Sequence, residues 1–204
     1  PPLLAAVVLP QAIAEFRRRF PGISVQIADV GTEQIVESVR NGKADCGIGT
    51  FQPSEEGIER VALVRDSLML FCDEASPLNG SEPVCWSELA DYPLVTLTRD
   101  SGIRLLVEVG FESCELPLKP AFEVAQVTTA IALVEAGLGV AVLPTYALAA
   151  ARYRKVNGRQ LVEPVISREI VLIHASGRSV SPAVQAFSQV IRRFAQQLTP
   201  QEAR

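Results

Sequence analysis

The sequence is short of the residues that most metal centres and many active sites depend on. His174 is the only histidine among 204 residues, so no second imidazole exists to share a metal with it. It lies in the strand-like run Ile170-Val-Leu-Ile-His-Ala175, which reads as packing in a core or at a lobe junction rather than catalysis. The four cysteines, Cys46, Cys72, Cys85 and Cys114, follow neither paired metal-ligand spacing nor a Cys-x-x-Cys motif. They are expected as reduced thiols, with Cys46 and Cys72 acting as small core residues in apolar runs. No segment resembles a nucleophile elbow or a phosphate-binding loop. No apolar stretch approaches the length that spans a bilayer, and no signal peptide is visible.

Concentrated positive charge is equally scarce. Arg17, Arg18 and Arg19 form the only tight basic cluster, at a helix end where cations complement the dipole. With a formal net charge of −4 and no basic stripe, nucleic-acid binding by this chain alone is disfavoured. An initiator methionine is also lacking: the single methionine is Met69 and position 1 is proline. That predicts a piece of something longer, with a missing partner domain carrying part of the activity.

What is present is apolar material in α/β order. At 48% hydrophobic the chain can bury one good core, or two smaller domains sharing a cleft. Residues 3–19 have helical period, with Leu4, Val7, Val8, Ile13 and Phe16 inward and Pro10 predicting a kink. Ile23, Val25 and Ile27 alternate as in a strand. A helix opens at Gly31-Thr32-Glu33, and residues 44–51 read as a buried strand. Two further strands are expected at 58–64 and 67–72, and the order predicts a largely parallel sheet. Residues 73–93 have loop composition around one short helix, Trp86–Ala90. Then follow strand 94–98, helix 101–110 and strand 119–124. A helix, helix 145–153, a basic glycine-bearing loop at 154–160, strand 169–175 and a final helix from Pro182 to Leu198 complete the reading.

The helix preceding 145–153 belongs to the most informative stretch, 126–144. Thr128 or Thr129 caps its start, Gly137 suits a left-handed helix end, and residues 140–143 form a buried strand stopped by Pro144. Together these elements predict an α/β protein of two Rossmann-like lobes. The chain leaves the first near residue 72 and regains it near 172, through two crossover strands flanking a cleft. The lobes are expected at 1–72 plus 172–204 and at 73–171.

Helix N-termini and the C-terminal ends of strands are where such folds collect polar ligands. Candidates in the first lobe are Thr32 at a helix start and Thr50 and Phe51 after a strand, with structural capping and ordinary packing as equal readings for Thr32 and Phe51. In the second lobe they are Thr98, Ser101 and Gly102 around a strand-to-helix turn, Arg104 in the first helical turn, and Thr128 and Thr129. Arg104 reads by default as solvent-exposed. Hydroxyls at several helix ends with little fixed positive charge point to a small carboxylate or other polar anion. No catalytic residue, cofactor or metal is called for.

Several segments, in order, resemble the effector-binding domain of LysR-type bacterial transcriptional regulators. They are Leu9-Pro10, Phe16-Arg-Arg-Arg-Phe-Pro21, Gly42-Lys-Ala-Asp-Cys-Gly-Ile-Gly49, Ser76-Pro-Leu78, Leu89-Ala-Asp-Tyr-Pro-Leu94, Ser101-Gly-Ile-Arg104 and Glu135-Ala-Gly-Leu-Gly-Val-Ala-Val-Leu-Pro144. Arg178 with Ser181-Pro-Ala-Val-Gln-Ala-Phe187 completes the set. The resemblance implies a fold like type 2 periplasmic binding proteins, a small-molecule effector in the cleft, and DNA contact only through an absent N-terminal winged helix-turn-helix. It also implies a strand ahead of the helix at 3–19, a cytoplasmic protein with no membrane contact, and a homodimer or homotetramer in which that helix lies near a second-lobe helix of another subunit. The peroxide-sensing branch has a cysteine pair in the segment matching 98–110, where this chain has none. A transporter's solute-binding protein shares the lobes, but four unpaired cysteines disfavour export. An enzyme on the same fold needs an acid–base pair that Asp45, Glu123 and Arg104 do not recognisably make.

Overall fold

The computed structural model describes residues 2–51, 55–99 and 101–198. They form two compact units, the first from the described parts of 1–66 and 168–204, the second from 67–167.

In the first unit, helix α1 (Pro2–Arg19) buries Leu4, Val8, Ala12 and Phe16, a stripe repeating every fourth residue. Pro10 lies inside it. Helix α6 (Pro182–Ala195) packs on α1, with Phe16 and Phe187 edge to face at 5.3 Å. The Ser181 hydroxyl caps α6, accepting from the Val184 amide at 3.2 Å, and Pro182 follows in the first turn. Helix α2 (Thr32–Arg40) turns Val36 and Val39 onto β1 (Gly47–Gly49), which pairs antiparallel with β8 (Ser167–Ala175). The run 44–51 thus supplies only three strand residues.

The alternating run at 23–28 is not a paired strand. A strand is held by a neighbour's backbone, and among the described residues none pairs with this one. Instead 23–30 lines a groove of about 500 Å³ in the first unit together with Cys46–Ile48, Leu4, Val8 and Phe187.

The strands expected at 58–64 and 67–72 are one, β2 (Ile58–Asp73), which runs from the first unit into the second. The polar triplet Arg65-Asp66-Ser67 breaks the apolar pattern without breaking the strand. Asp66 is 3% exposed, and Arg168 lies 3.5 Å from its carboxylate. Buried polar groups are kept where such partners exist.

In the second unit β2 pairs antiparallel with β6 (Val140–Pro144) and β7 (Val156–Val162). The basic segment 154–160, expected as a loop, is therefore largely strand β7. Its polar side chains serve the neighbouring loop: Arg159 donates to the carbonyls of Leu78, Glu82 and Pro83, and Asn157 to Asn79 and Gly80. Strand β3 (Val84–Cys85) joins β7 in parallel, and a 3-10 turn at Trp86–Leu89 follows it.

Beyond β6 the sheet continues in parallel through β4 (Leu94–Leu97) to β5 (Pro120–Val124). The sheet is mixed rather than largely parallel, because β2 meets β6 and β7 head to tail. Helix α3 (Gly102–Ser113) follows β4, and α4 (Val127–Glu135) follows β5. Gly137 closes α4 at φ +71°, a left-handed turn that glycine adopts without strain. A short helix α5 (Leu148–Ala151) leads to β7.

Candidate functional site

The parallel pair β4 and β5 gives the second unit an edge at which two helices begin. Each strand runs directly into a helix, α3 after β4 and α4 after β5, so both N-termini open beyond the strands' C-terminal ends. The two turns are tied together, since the Thr98 amide donates to the Val124 carbonyl at 3.0 Å.

Ser101 is the N-cap of α3, its hydroxyl accepting from the Ile103 amide at 3.3 Å. Its own amide donates to the Thr98 carbonyl, which closes the turn and brings Thr98, Ser101 and Gly102 together. Thr98 and Ser101 are half-buried and Gly102 is exposed, with open space around its Cα where a side chain would stand. Asp100 lies outside the described residues.

The start of α4 differs from the sequence reading. Its N-cap is Gln126, which makes no side-chain capping bond, while Thr128 and Thr129 are exposed residues of the first turn. A helix whose first amides lack a side-chain cap keeps donors for a bound anion or water. Gln126 is the residue missed here, though a polar residue just before an apolar helical run is a legible cap position.

Arg104 is neither solvent-exposed nor free to meet a ligand. It is 3% exposed, and its Nη1 donates to Thr96 Oγ1 at 2.8 Å, to the Leu97 carbonyl at 3.2 Å and to Glu123 Oε1 at 2.5 Å. Its Nε donates to Glu108 Oε1 at 2.9 Å. The guanidinium pins the first turn of α3 to the ends of β4 and β5, which makes it a support for the turn. Glu108 was also missed; its position four residues after Arg104 was the available signal.

The first-unit candidates divide. Thr32 is the first residue of α2 rather than its cap; the cap position is Gly31, and no side chain caps that helix. Thr50 follows β1 and is half-buried. Phe51 is core, 4% exposed and clustered with Val36, Val39, Val171 and Ile173, in keeping with the packing reading.

His174 is 7% exposed in β8, with Nε2 3.9 Å from a Glu59 carboxylate oxygen. Among the described residues no group of three or more His, Cys, Asp or Glu side chains could hold a metal ion. Among the described residues no helix is long and apolar enough to cross a membrane.

Comparison with known proteins places the chain. The family model described as the LysR substrate binding domain matches residues 1–196. The chain belongs to that family. As a LysR substrate binding domain it is 36% identical over 179 residues to the uncharacterized HTH-type transcriptional regulator YbhD of Escherichia coli K12, covering 88% of this chain and 56% of that protein. The chain therefore spans little more than half the length of this relative.

Among solved structures it resembles the effector binding domain of QuiR in complex with shikimate, with a TM-score of 0.80 at 24% identity, covering 94% of this chain and 92% of that one. It also resembles the regulatory domain of CcmR from Synechocystis PCC6803 in complex with 2-PG, with a TM-score of 0.81 at 21% identity and the same coverages. At these identities the likeness establishes the fold, the α/β class of periplasmic-binding-protein type 2.

Proposed function

We propose that this LysR substrate binding domain is the sensing part of a cytoplasmic bacterial transcriptional regulator and binds a small carboxylate or similar polar anion. The observation that carries the reading is the shared sheet edge of the second unit. There the Ser101-capped start of α3 and the uncapped start of α4 open side by side. Helix starts attract anions through free amides and the dipole, worth about 0.3–1 kcal/mol each at an exposed position.

With Arg104 already neutralised by Glu108 and Glu123, the ligand's charge is met by hydrogen bonds from amides and hydroxyls. Thr98, Ser101, Gly102, Thr128 and Thr129 are assigned to it. DNA contact belongs to a helix-turn-helix supplied elsewhere in the full regulator, as the relatives' descriptions support.

The regulator is also proposed to act as a homodimer or larger homo-oligomer. Helix α3 leaves Leu105 59% and Val109 42% exposed one turn apart, and α1 leaves Ala6 and Pro10 exposed. Such apolar positions on α3 suit a second copy's α1.

A thermal-shift panel of small acids, including shikimate, 2-PG and benzoate, tests the ligand class. At least one acid is expected to raise the melting temperature by mass action, and the rise should shrink in Ser101→Ala. Stabilisation by neutral aromatics alone would overturn the assignment.

A further inference from the structure

Two of the four cysteines, far apart in sequence, meet on one residue. Cys85 ends β3 and Cys114 is the C-cap of α3. The Cys85 thiol donates to Glu163 Oε2 at 3.4 Å, and the Cys114 thiol donates to the Glu163 backbone carbonyl at 3.3 Å. Both residues are half-buried, whereas Cys72 is fully buried.

The surroundings hold this arrangement in place. Trp86, next to Cys85, stacks edge to face on Phe111 of α3 at 5.6 Å and donates from its indole nitrogen to the Pro164 carbonyl at 2.9 Å. Gly110 leaves the room beneath Trp86 that any side chain would take. The Cys85 amide is in turn held by Glu88 Oε1 at 2.9 Å. Thus β3, the last turns of α3 and the 163–164 segment are fastened at one spot that carries two thiols.

We propose that Cys85 and Cys114 form a dithiol modification site that small disulfides convert to an intramolecular disulfide. The chemistry is exchange. One cysteine thiolate attacks a sulfur of the reagent, the reagent's S–S bond breaks, and one thiol leaves carrying the proton the cysteine lost. The second cysteine then attacks the resulting mixed disulfide and releases the second thiol. Protein dithiol plus one reagent disulfide gives protein disulfide plus two reagent thiols, with no other oxidant.

Glu163 also sets the order of attack. Its hydrogen bond, ahead of desolvation and of the negative charge of Glu163 and Glu88, pushes the Cys85 thiol above its usual range. Cys85 is therefore the poorer first nucleophile and serves as the resolving thiol, with Cys114 attacking first.

The test uses the full chain and 2-hydroxyethyl disulfide, a neutral reagent that the two glutamates do not repel. After incubation, quenching with an alkylating agent and peptide mass mapping should show a Cys85–Cys114 link that dithiothreitol removes. In Cys85→Ser the mixed disulfide should instead persist on Cys114. In Glu163→Gln, which keeps an acceptor but loses the charge, the mixed disulfide on Cys114 should be resolved severalfold faster than in the unsubstituted chain. Separate adducts on Cys85 and Cys114 with no link between them, or no reaction at either, would overturn the proposal. So would a mixed disulfide on Cys114 resolved no faster in Glu163→Gln.

Discussion

Arg104 shows how a single buried cation organises the proposed site without touching a ligand. Its guanidinium reaches a strand hydroxyl, a strand carbonyl and two carboxylates, while Ser101 three residues earlier caps the same helix. Arg104→Met keeps the bulk but strands Thr96 and releases Glu123 from its partner. Breaking a buried ion pair costs about 3–5 kcal/mol, and the partial exposure of both glutamates reduces this to about 2 kcal/mol. Thermal unfolding followed by circular dichroism should show that loss, whereas Arg99→Met, altering an exposed neighbour, should leave the curve in place. At this scale the sequence was half legible. Ser101 could be assigned from its place before a helical run, but the burial of Arg104 and Phe51 depends on strands distant in sequence. Thr96, Glu123, Val171 and Ile173 carry no local mark of meeting them.

Among the elements, the groove beside α1 is the feature with the clearest consequence. Among the described residues the run 23–28, read as a strand from the alternation of Ile23, Val25 and Ile27, lies unpaired, and β1 pairs only with β8. Both segments line one groove with Leu4, Val8 and Phe187. A short alternating apolar segment joined ahead of residue 1 is expected to enter it, bond both edges and bury two or three side chains at about 1.5–3 kcal/mol each. Less the ordering of that segment, the melting temperature should rise by about 5 °C, and amides of 23–28 should gain protection from hydrogen exchange. Unchanged exchange there would refute it. Element types were legible where periodicity ran long, as in α1, α2, α3 and α6. They were misjudged where polar residues serve partners: Arg65-Asp66-Ser67 inside β2, and Asn157 and Arg159 inside β7.

At the scale of the whole molecule, order along the chain carried the α/β class and family motifs carried the rest. Strand direction was not legible, because hydrophobic alternation is the same whichever way a neighbour runs, and β2 runs against β6 and β7. The proposed assembly is tested by replacing exposed apolar side chains of α3. Leu105→Glu with Val109→Glu should convert a dimer to a folded monomer in analytical ultracentrifugation, and a wild-type chain that stays monomeric at high concentration would contradict the assembly. The ligand site is tested most directly by amide NMR. Whichever acid of the panel stabilises the chain is titrated into labelled protein, and backbone shifts are followed residue by residue. Saturable shifts are expected to concentrate at 101–103 and 127–129, where α3 and α4 begin. Saturable shifts that leave both helix starts unmoved would contradict the proposed site.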